Sequence, residues 1–433
     1  FRAFTILKKM VEPYLRSIVL CHSFFTKLQL IRIIVLIRYI KQDYFGGMKK
    51  MVHISERDLQ LPHVEFPEIF ARIAADKNII SLGPGEPDFL TPAPLLAFGR
   101  KVFDKATHYS EPQGRMELRE AIVKKLEREN NIDTGVENVI VTCGSQEAIF
   151  SALLAAVDPT EQVLVPSPGY AGYVPAIDLV SATPVFVPLN AENNFELDAD
   201  VLKRHIDKQK TKVLILNSPG NPTGNVLSRK VLEEVADIAV ENDLLIFSDE
   251  AYEHMLFDDS KHISIASLNG MAENVLTFQT FSKSYAMCGF RLGYCAGPKK
   301  FISEMNKDHH YITLGAPTIS QLMGVKALSL DKKYINSMVK EYKRRRDFIV
   351  PRLNSMGLLT MMPNGAFYTF SNISAFSKNS SQFAHKLMNE AKVAVIPGTE
   401  FGPFGEGYIR CSFATEYHKI EMALDRMEKF LNK

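Results

Sequence analysis

From Gly135 onward, short apolar runs alternate with longer amphipathic segments. The runs are rich in β-branched residues, which is typical of buried strands, whereas apolar positions in the intervening segments recur every three or four residues, as in helices. Strands are predicted at 138–143, 162–166, 183–188, 212–216, 244–249, 275–280 and 292–297, and helices at 145–157, 170–181 and 228–242. This alternation predicts an α/β/α sandwich around a mostly parallel sheet of seven strands.

After Pro298 the pattern changes to long helices separated by a few strands. Helices are predicted at 331–355 and from Thr415, and strands at 366–371, 392–397 and 408–412. This pattern is typical of a smaller α+β domain. We therefore predict a large domain at 81–298, a small C-terminal domain at 299–433, and an N-terminal segment, 48–80, that joins the small domain.

The bulk composition narrows the possible functions. With 433 residues and 46% hydrophobic content, the chain can bury a large core and form two or three domains. A net charge of +2 gives no reason to expect nucleic acid or acidic partners. The five cysteines are scattered without a CxxC pair, and the eleven histidines include no HExxH spacing. We expect a reducing, cytoplasmic location and no metal.

Residues 1–47 differ from the rest, with eight basic and two acidic residues among many Ile, Leu and Phe. Their longest uncharged run, 17–26, is shorter than the roughly 20 residues that cross a bilayer, so no membrane span is expected. Met48 looks like a natural start of translation, and we expect 1–47 to be an extension, either upstream sequence read in frame or poorly ordered. The alternative is a basic amphipathic targeting or membrane-surface segment.

The strongest chemical signal is Lys283. It follows the predicted strand 275–280, has hydroxyl residues on both sides and precedes Arg291 by eight positions. A lysine whose surroundings favour the neutral amine reacts with aldehydes, and hydroxyls with a guanidinium suit a phosphate. An aldehyde and a phosphate on one small molecule indicate pyridoxal phosphate. Taken alone, such a lysine is better explained as an ordinary surface residue after a buried strand, and only the companion motifs described below favour the chemical role.

Two further loops follow predicted strands. Gly144, Ser145 and Gln146 open a helix, and backbone N–H groups at a helix N-terminus bind phosphate, although Gly-Ser is also a common N-cap. Tyr170 lies in the next loop, where it could stack on a heteroaromatic ring or belong to the core. Ligands of such sheets bind beyond the carboxyl ends of the strands, where all these residues fall.

Asp249 ends the strand predicted at 244–249, and Tyr252 follows it by three residues. A buried carboxylate needs a cationic partner, and a protonated pyridine nitrogen is one. Tyr252, together with Asn221 from a Pro- and Gly-rich turn, could hydrogen-bond the phenolic oxygen of the same ring. Most turns of that composition have no role beyond reversing the chain. A functional role for Asn221 is therefore inferred only together with the other candidate residues.

Taken together, six motifs resemble the class I/II aminotransferases, which are pyridoxal-phosphate enzymes of the aspartate-aminotransferase superfamily with the type I fold. The motifs are Asn221-Pro-Thr-Gly, Asp249-Glu-Ala-Tyr252, Ser282-Lys283, Arg291, the segment from Ser81 to Phe89, and Ile409-Arg410-Cys-Ser-Phe-Ala. The resemblance covers about residue 60 to the C-terminus. It implies that the chain is a transaminase that binds pyridoxal phosphate.

The resemblance also implies a role for each matching residue. Lys283 would hold the cofactor aldehyde and shuttle the Cα proton, Asp249 would pair with the pyridine nitrogen, and Tyr170 would stack on the ring. Asn221 and Tyr252 would contact the ring oxygen. The phosphate would be bound by Gly144, Ser145, Gln146, Thr280, Ser282 and Arg291.

The substrate and the oligomer follow from the same resemblance. Arg410 would clamp the substrate α-carboxylate, and the Gly85 backbone belongs to a segment that closes over it, with Asn221 beside them. Tyr109 matches a tyrosine that reaches the phosphate of the neighbouring subunit. We therefore expect a homodimer with shared active sites.

The resemblance implies that an amino group passes from an L-amino acid to a 2-oxo acid, with 2-oxoglutarate as the expected acceptor, in a ping-pong sequence. Gln146 stands where bacterial aspartate enzymes of this subgroup have a lysine. The amino donor therefore stays open between an aromatic amino acid, a neutral amino acid and aspartate. The alternatives are a C–S lyase and an enzyme like aminocyclopropane-carboxylate synthase, which use the same cofactor. A transcription regulator would need a helix-turn-helix that residues 1–60 are too short and irregular to form.

Overall fold

The computed structural model describes residues 54–62, 65–268 and 270–432. The chain divides into two compact units, 1–59 and 60–433. In the first unit only residues 54–59 are described, and a short helix, Glu56–Gln60, begins there. The predictions for residues 1–47 lie outside the described residues.

A seven-stranded sheet lies at the centre of the second unit. Across the sheet the strands are Val139–Thr142, Gly293–Ala296, Val275–Thr280, Leu245–Asp249, Thr211–Asn217, Gln162–Ser167 and Thr183–Pro188. Neighbouring strands are parallel except that Gly293–Ala296 is antiparallel to both of its neighbours. The predicted α/β fold with a mostly parallel seven-stranded sheet is confirmed.

Both faces of this sheet are buried under helices. Along the strand Thr211–Asn217 alternate side chains enter different cores, since side chains of a strand alternate between its faces. Val213 and Ile215 pack in the core that includes the helix Ser145–Ala156. Leu214 and Leu216 pack in the core that includes the helix Arg229–Glu241. The sheet is therefore the middle layer of a three-layer sandwich.

The other described elements surround this sandwich or follow it in the chain. The remaining α-helices of the second unit are Phe66–Ala75, Ala93–Val102, Met116–Lys125, Tyr173–Leu179, Ala199–Arg204, Phe281–Ser284, Lys299–Thr313, Thr318–Leu328, Lys333–Ser355, Ser380–Glu390 and Tyr417–Leu431. Strands Ile396–Pro397, Tyr408–Ser412 and Tyr368–Asn372 form an antiparallel sheet in that order. None of the helices in the described part of the chain is long and apolar enough to cross a membrane.

The strand predicted at 392–397 is wrong as a single element. Val393–Ala394 pairs in parallel with Ile80–Ser81, whereas Ile396–Pro397 pairs with the strand Tyr408–Ser412. The apolar run is continuous, so its pattern contains no sign that the chain changes sheets at Val395. Within the compact unit 60–433, the division into domains at 81–298 and 299–433 stays a prediction.

The helix predicted at 170–181 begins later, at Tyr173, and ends at Leu179. The residues before it form a loop that contains two glycines and Pro168, and proline and glycine disfavour a regular helix. The N–H of Gly169 donates to the carbonyl of Phe401, at 2.9 Å, which ties this loop to a distant part of the chain.

Candidate active site

Functional side chains collect at the carboxyl edge of the central sheet. Asn217, Asp249 and Thr280 are the last residues of three neighbouring parallel strands. The antiparallel strand that begins at Gly293 enters the sheet at the same edge, so Arg291 lies there as well. Strands of one direction end together, which explains why residues far apart in sequence meet here.

A cavity of about 290 Å³ opens at this edge. Thirteen of the fourteen predicted site residues line it: Gly85, Gly144, Ser145, Gln146, Tyr170, Asn221, Asp249, Tyr252, Thr280, Ser282, Lys283, Arg291 and Arg410. Tyr109 does not line the cavity, and its side chain is 88% exposed. The structure therefore brings the predicted residues together around one space, apart from the one assigned to the neighbouring subunit.

Lys283 projects from a helix of only one turn, Phe281–Ser284. Thr280 caps this helix, and its hydroxyl oxygen accepts the N–H of Ser282 at 3.2 Å. The Lys283 amine donates to the carbonyl of Gly85 at 2.5 Å. Burial lowers the pKa of the Lys283 amine below its ordinary value, so the neutral form needed for reaction with an aldehyde is favoured.

Asp249 is 6% exposed at the floor of the cavity. The Tyr173 hydroxyl donates to its Oδ2 at 2.6 Å, and the N–H of Ala251 donates to its Oδ1 at 3.2 Å. Burial raises the pKa of this carboxyl group. Among the described residues no lysine, arginine or histidine forms an ion pair with it. A buried carboxylate of this kind suits a cationic group of a ligand.

An anion site lies at the start of the helix Ser145–Ala156. The Arg291 guanidinium donates to the carbonyls of Cys288 and Cys143, at 3.0 and 3.3 Å. Gly144 has φ +90°, and a Cβ at this position would lie 2.7 Å from Arg291 Nη2. No carboxylate in the described ranges pairs with Arg291. The helix N-terminus and this arginine together provide positive charge for a phosphate.

Arg410 is a second cation without a described carboxylate partner, and it is only 2% exposed. Its Nη1 donates to Asn221 Oδ1 at 3.0 Å and its Nη2 to the carbonyl of Gly83 at 2.7 Å, while its buried Nε has no partner. The guanidinium lies 4.4 Å from the ring centre of Tyr368 and 4.8 Å from that of Phe401. This planar donor set suits a carboxylate.

Several residues that line the cavity or contact its lining were not predicted from the sequence. Tyr173 holds Asp249, and the Tyr368 hydroxyl is 2.8 Å from that of Tyr252. Phe66, Phe70 and Phe401 form an aromatic wall, with the first two rings 6.0 Å apart and stacked. Only the spacing of Phe66 and Phe70, four residues apart on one helix face, was visible in the sequence.

One cluster of potential metal ligands occurs in the described part of the chain, formed by Glu250, Glu253 and His262, and it does not line the cavity. Lys125 forms an ion pair with Glu253, and His262 Nε2 lies 2.9 Å from Glu250 Oε2. Both carboxylates therefore have partners within the protein. The absence of a metal from the reaction stays a prediction.

Comparison with known proteins identifies the family. Residues 77–427 match the family described as aminotransferase class I and II. The chain belongs to this family. It is 46% identical to the aspartate aminotransferase of Pyrococcus abyssi, over 85% of this chain and 96% of that protein. It is 42% identical to aromatic-amino-acid aminotransferase 2 of Thermococcus litoralis, over 88% and 98%.

Solved structures agree with the sequence relatives. The aromatic aminotransferase from Pyrococcus horikoshii OT3 has a TM-score of 0.80 at 44% identity, with 84% of this chain and 98% of that chain covered. The aspartate aminotransferase from Thermus thermophilus with maleate has a TM-score of 0.84 at 33% identity, with 88% and 100% covered. The chain therefore has the type I fold and is a pyridoxal-phosphate-dependent aminotransferase that acts on amino acids and 2-oxo acids.

The cavity of this aminotransferase fits its cofactor. The buried carboxylate of Asp249 suits a protonated pyridine nitrogen, and the cradle of Gly144 and Arg291 suits a phosphate. Lys283 lines the same cavity, and burial lowers the pKa of its amine. These are the three chemical groups that one molecule of pyridoxal phosphate requires.

Proposed function

We propose that the cavity residues act on the cofactor and substrate as their chemistry indicates. Lys283 holds the cofactor aldehyde, Asp249 pairs with the ring nitrogen, and Tyr170 stacks on the ring. Asn221 and Tyr252 hydrogen-bond the ring oxygen. The phosphate group is bound by Gly144, Ser145, Gln146, Thr280, Ser282 and Arg291. The observation that carries this proposal is a buried carboxylate, a lysine of lowered pKa and an anion cradle around one cavity.

Lys283 is the residue that transfers the proton of the substrate Cα atom. When bound, the cofactor supplies an electron sink for the electrons of the Cα–H bond. Because its pKa is lowered, the Lys283 amine can accept the Cα proton and later return a proton, as a general base and acid. Arg410 holds the α-carboxylate with its paired N–H donors, and Asn221 keeps that guanidinium in place through the 3.0 Å contact.

We infer that the preferred donor has an aromatic or apolar side chain. Three cations line the cavity, Lys283, Arg291 and Arg410, and each has a role already. Gln146 is neutral, so no fourth cation remains in the described lining for a side-chain carboxylate. The wall of Phe66, Phe70 and Phe401 instead offers apolar surface. Aspartate is the second candidate, because several relatives are named aspartate aminotransferases.

A panel of donors tests this inference. With 2-oxoglutarate as acceptor, we expect kcat/KM for phenylalanine to exceed that for aspartate by about 10-fold or more, since an unpaired buried carboxylate is costly. Gln146→Lys adds the missing cation and should shift the ratio toward aspartate, whereas Gln146→Asn should not. A wild-type preference for aspartate that Gln146→Lys leaves unchanged would contradict the inference. Amino transfer also requires an acceptor, which a C–S lyase does not.

We also propose a cytoplasmic homodimer with shared active sites. Tyr109 is exposed outside its own cavity, and Leu90 and Tyr311 are exposed at 86% and 87%. A second copy that covers these side chains would bury apolar surface that a single subunit leaves in water. The four cysteines within the described residues are unpaired, which supports a reducing compartment such as the cytoplasm. There we propose a role in amino-acid biosynthesis, as suits an aminotransferase.

Mixed dimers test whether Tyr109 serves the neighbouring subunit. Tyr109→Phe should weaken cofactor binding about 10-fold, since it removes one hydrogen bond to a charged group. In a dimer of one Tyr109→Phe subunit and one Lys283→Ala subunit, the single site with Lys283 receives the intact Tyr109. That site should bind the cofactor like the wild type. If it binds as weakly as the Tyr109→Phe homodimer, the tyrosine acts within its own subunit.

A further inference from the structure

A histidine outside the cavity joins the two backbone segments that carry the proposed catalytic residues. The segment 249–255 carries Asp249 at the end of a strand and Tyr252 in the turn that follows, and the helix Phe281–Ser284 carries Lys283. His254 belongs to the turn, and its Nδ1 lies 2.9 Å from Ser284 Oγ at the end of the helix. The contact therefore connects residues that lie beside Tyr252 and Lys283 in the chain. His254 itself does not line the cavity.

The other nitrogen of the His254 ring, Nε2, contacts the carboxylate of Glu129. His254 Nε2 lies 3.0 Å from Glu129 Oε2. Glu129 also accepts Arg128 Nη2 at 2.6 Å and lies 3.3 Å from Lys332 Nζ. Although burial raises it, hydrogen bonds from His254 and Arg128 bring the pKa of Glu129 well below its ordinary value. Glu129 is therefore an anion that only accepts hydrogen bonds.

The anion fixes the direction of the second contact. Because Glu129 can only accept, Nε2 of a neutral His254 carries the proton, and Nδ1 is then an acceptor. With the ring in that neutral form, the Ser284 hydroxyl, whose residue is 3% exposed, donates to Nδ1. Glu253 Oε1 is 3.6 Å from the same Nδ1, beyond hydrogen-bond length. Ser284 is therefore the hydrogen-bond partner of Nδ1.

We propose that His254 is a positioning residue that, through Ser284, sets the place of the Lys283 amine relative to Asp249 and Tyr252. One helical turn has little stability of its own, so the helix Phe281–Ser284 depends on what holds its two ends. Thr280 caps the first end, and His254 holds the last residue. The inference rests on the proposed role of Lys283.

Two substitutions at position 254 separate the two contacts. An Asn side chain reaches the position of Nδ1, and a Gln side chain reaches that of Nε2. We expect His254→Asn to retain kcat within about 3-fold, and His254→Gln and Ser284→Ala each to lower kcat about 10-fold, because a displaced amine is poorly oriented toward Cα. KM should change little, since Arg410 is untouched.

A spectroscopic measurement distinguishes positioning from loss of stability. In the holoenzyme without substrate, the absorbance of the lysine-bound cofactor is titrated with pH. His254→Gln and Ser284→Ala should shift its midpoint by about half a pH unit, because the amine moves relative to the fixed charges around it. The double variant should shift it no further. His418→Gln, at an exposed histidine, is the control and should change neither quantity.

Three results would overturn the proposal. The first is an unchanged midpoint in both variants, and the second is wild-type kcat for His254→Gln. The third is a fall in kcat of the double variant that equals the product of the falls caused by His254→Gln and Ser284→Ala alone. Melting temperatures measured in parallel identify any variant that is merely less stable. Failure of the proposed role of Lys283 is recognised separately. In that case the absorbance band of the wild type would persist in Lys283→Ala.

Discussion

Replacing Lys283 with alanine is expected to lower kcat by at least about 10⁴-fold. On the proposed roles of Lys283, the variant loses both the covalent anchor of the cofactor and the group that moves the Cα proton, and general acid–base catalysis alone contributes about 10²–10⁴-fold. The surrounding cavity keeps its carboxylate and its anion cradle, so the cofactor should still bind non-covalently. Activity and binding are therefore expected to separate in this variant.

Borohydride reduction followed by mass spectrometry provides the measurement. Reduction of the wild type should leave the cofactor on the peptide that contains Lys283, whereas reduction of Lys283→Ala should label no lysine. Lys299→Ala, at an exposed lysine that follows the sheet strand Gly293–Ala296, is the matched control and should be labelled like the wild type. Full turnover in Lys283→Ala would refute the proposed function.

Asp249→Asn has the second largest expected effect, a fall of about 10³-fold in kcat/KM. The amide keeps the shape of the side chain but cannot balance the charge of a protonated ring nitrogen. Removal of one partner from a buried charge pair costs roughly 3–5 kcal/mol. Steady-state kinetics with saturating cofactor measures the loss, and Asp178→Asn, at a carboxylate outside the cavity, is the control. A loss below 10-fold would mean that Asp249 does not pair with the ring.

The same substitution should have the opposite effect on the stability of the cofactor-free protein. Burial raises the pKa of Asp249 in the folded state, so its ionised form destabilises the fold at any pH above that value. Asp249→Asn should therefore raise Tm by about 1–3 °C near neutral pH. The advantage should shrink as the pH falls through the raised pKa of Asp249, and it should vanish below the lower pKa of an unfolded aspartate, where both states bind the proton. A lower Tm at neutral pH would contradict this account.

The sequence predicted the sheet and most of the proposed site for one physical reason. Parallel strands end at a common edge, so polar residues placed directly after apolar runs were expected to meet, as Asn221, Asp249 and Lys283 do around the cavity. The position of strands such as Val139–Thr142 was also predictable, because a fully buried strand is a nearly continuous apolar run.

The remaining features depend on contacts between distant segments. In the sequence Tyr173 and Tyr368 look like core tyrosines. Only the folded chain shows that the Tyr173 hydroxyl donates to Asp249 and that the Tyr368 ring lies against the Arg410 guanidinium. His254 gave no signal because its partner, Glu129, is 125 residues away. The change of sheets at Val395 was invisible for the same reason, since an apolar run does not specify its partners.

The antiparallel strand Gly293–Ala296 has a consequence for how the site can vary. Thr280 pairs with Gly293 across two adjacent strands, so residues 281–292 form one hairpin connection that contains both Lys283 and Arg291. With the roles proposed for Lys283 and Arg291, the spacing between the aldehyde anchor and the phosphate-binding arginine is set within a single loop. A one-residue insertion there would disturb both ends together, whereas the aromatic wall, built from other segments, can change substrate preference without altering how the cofactor is held.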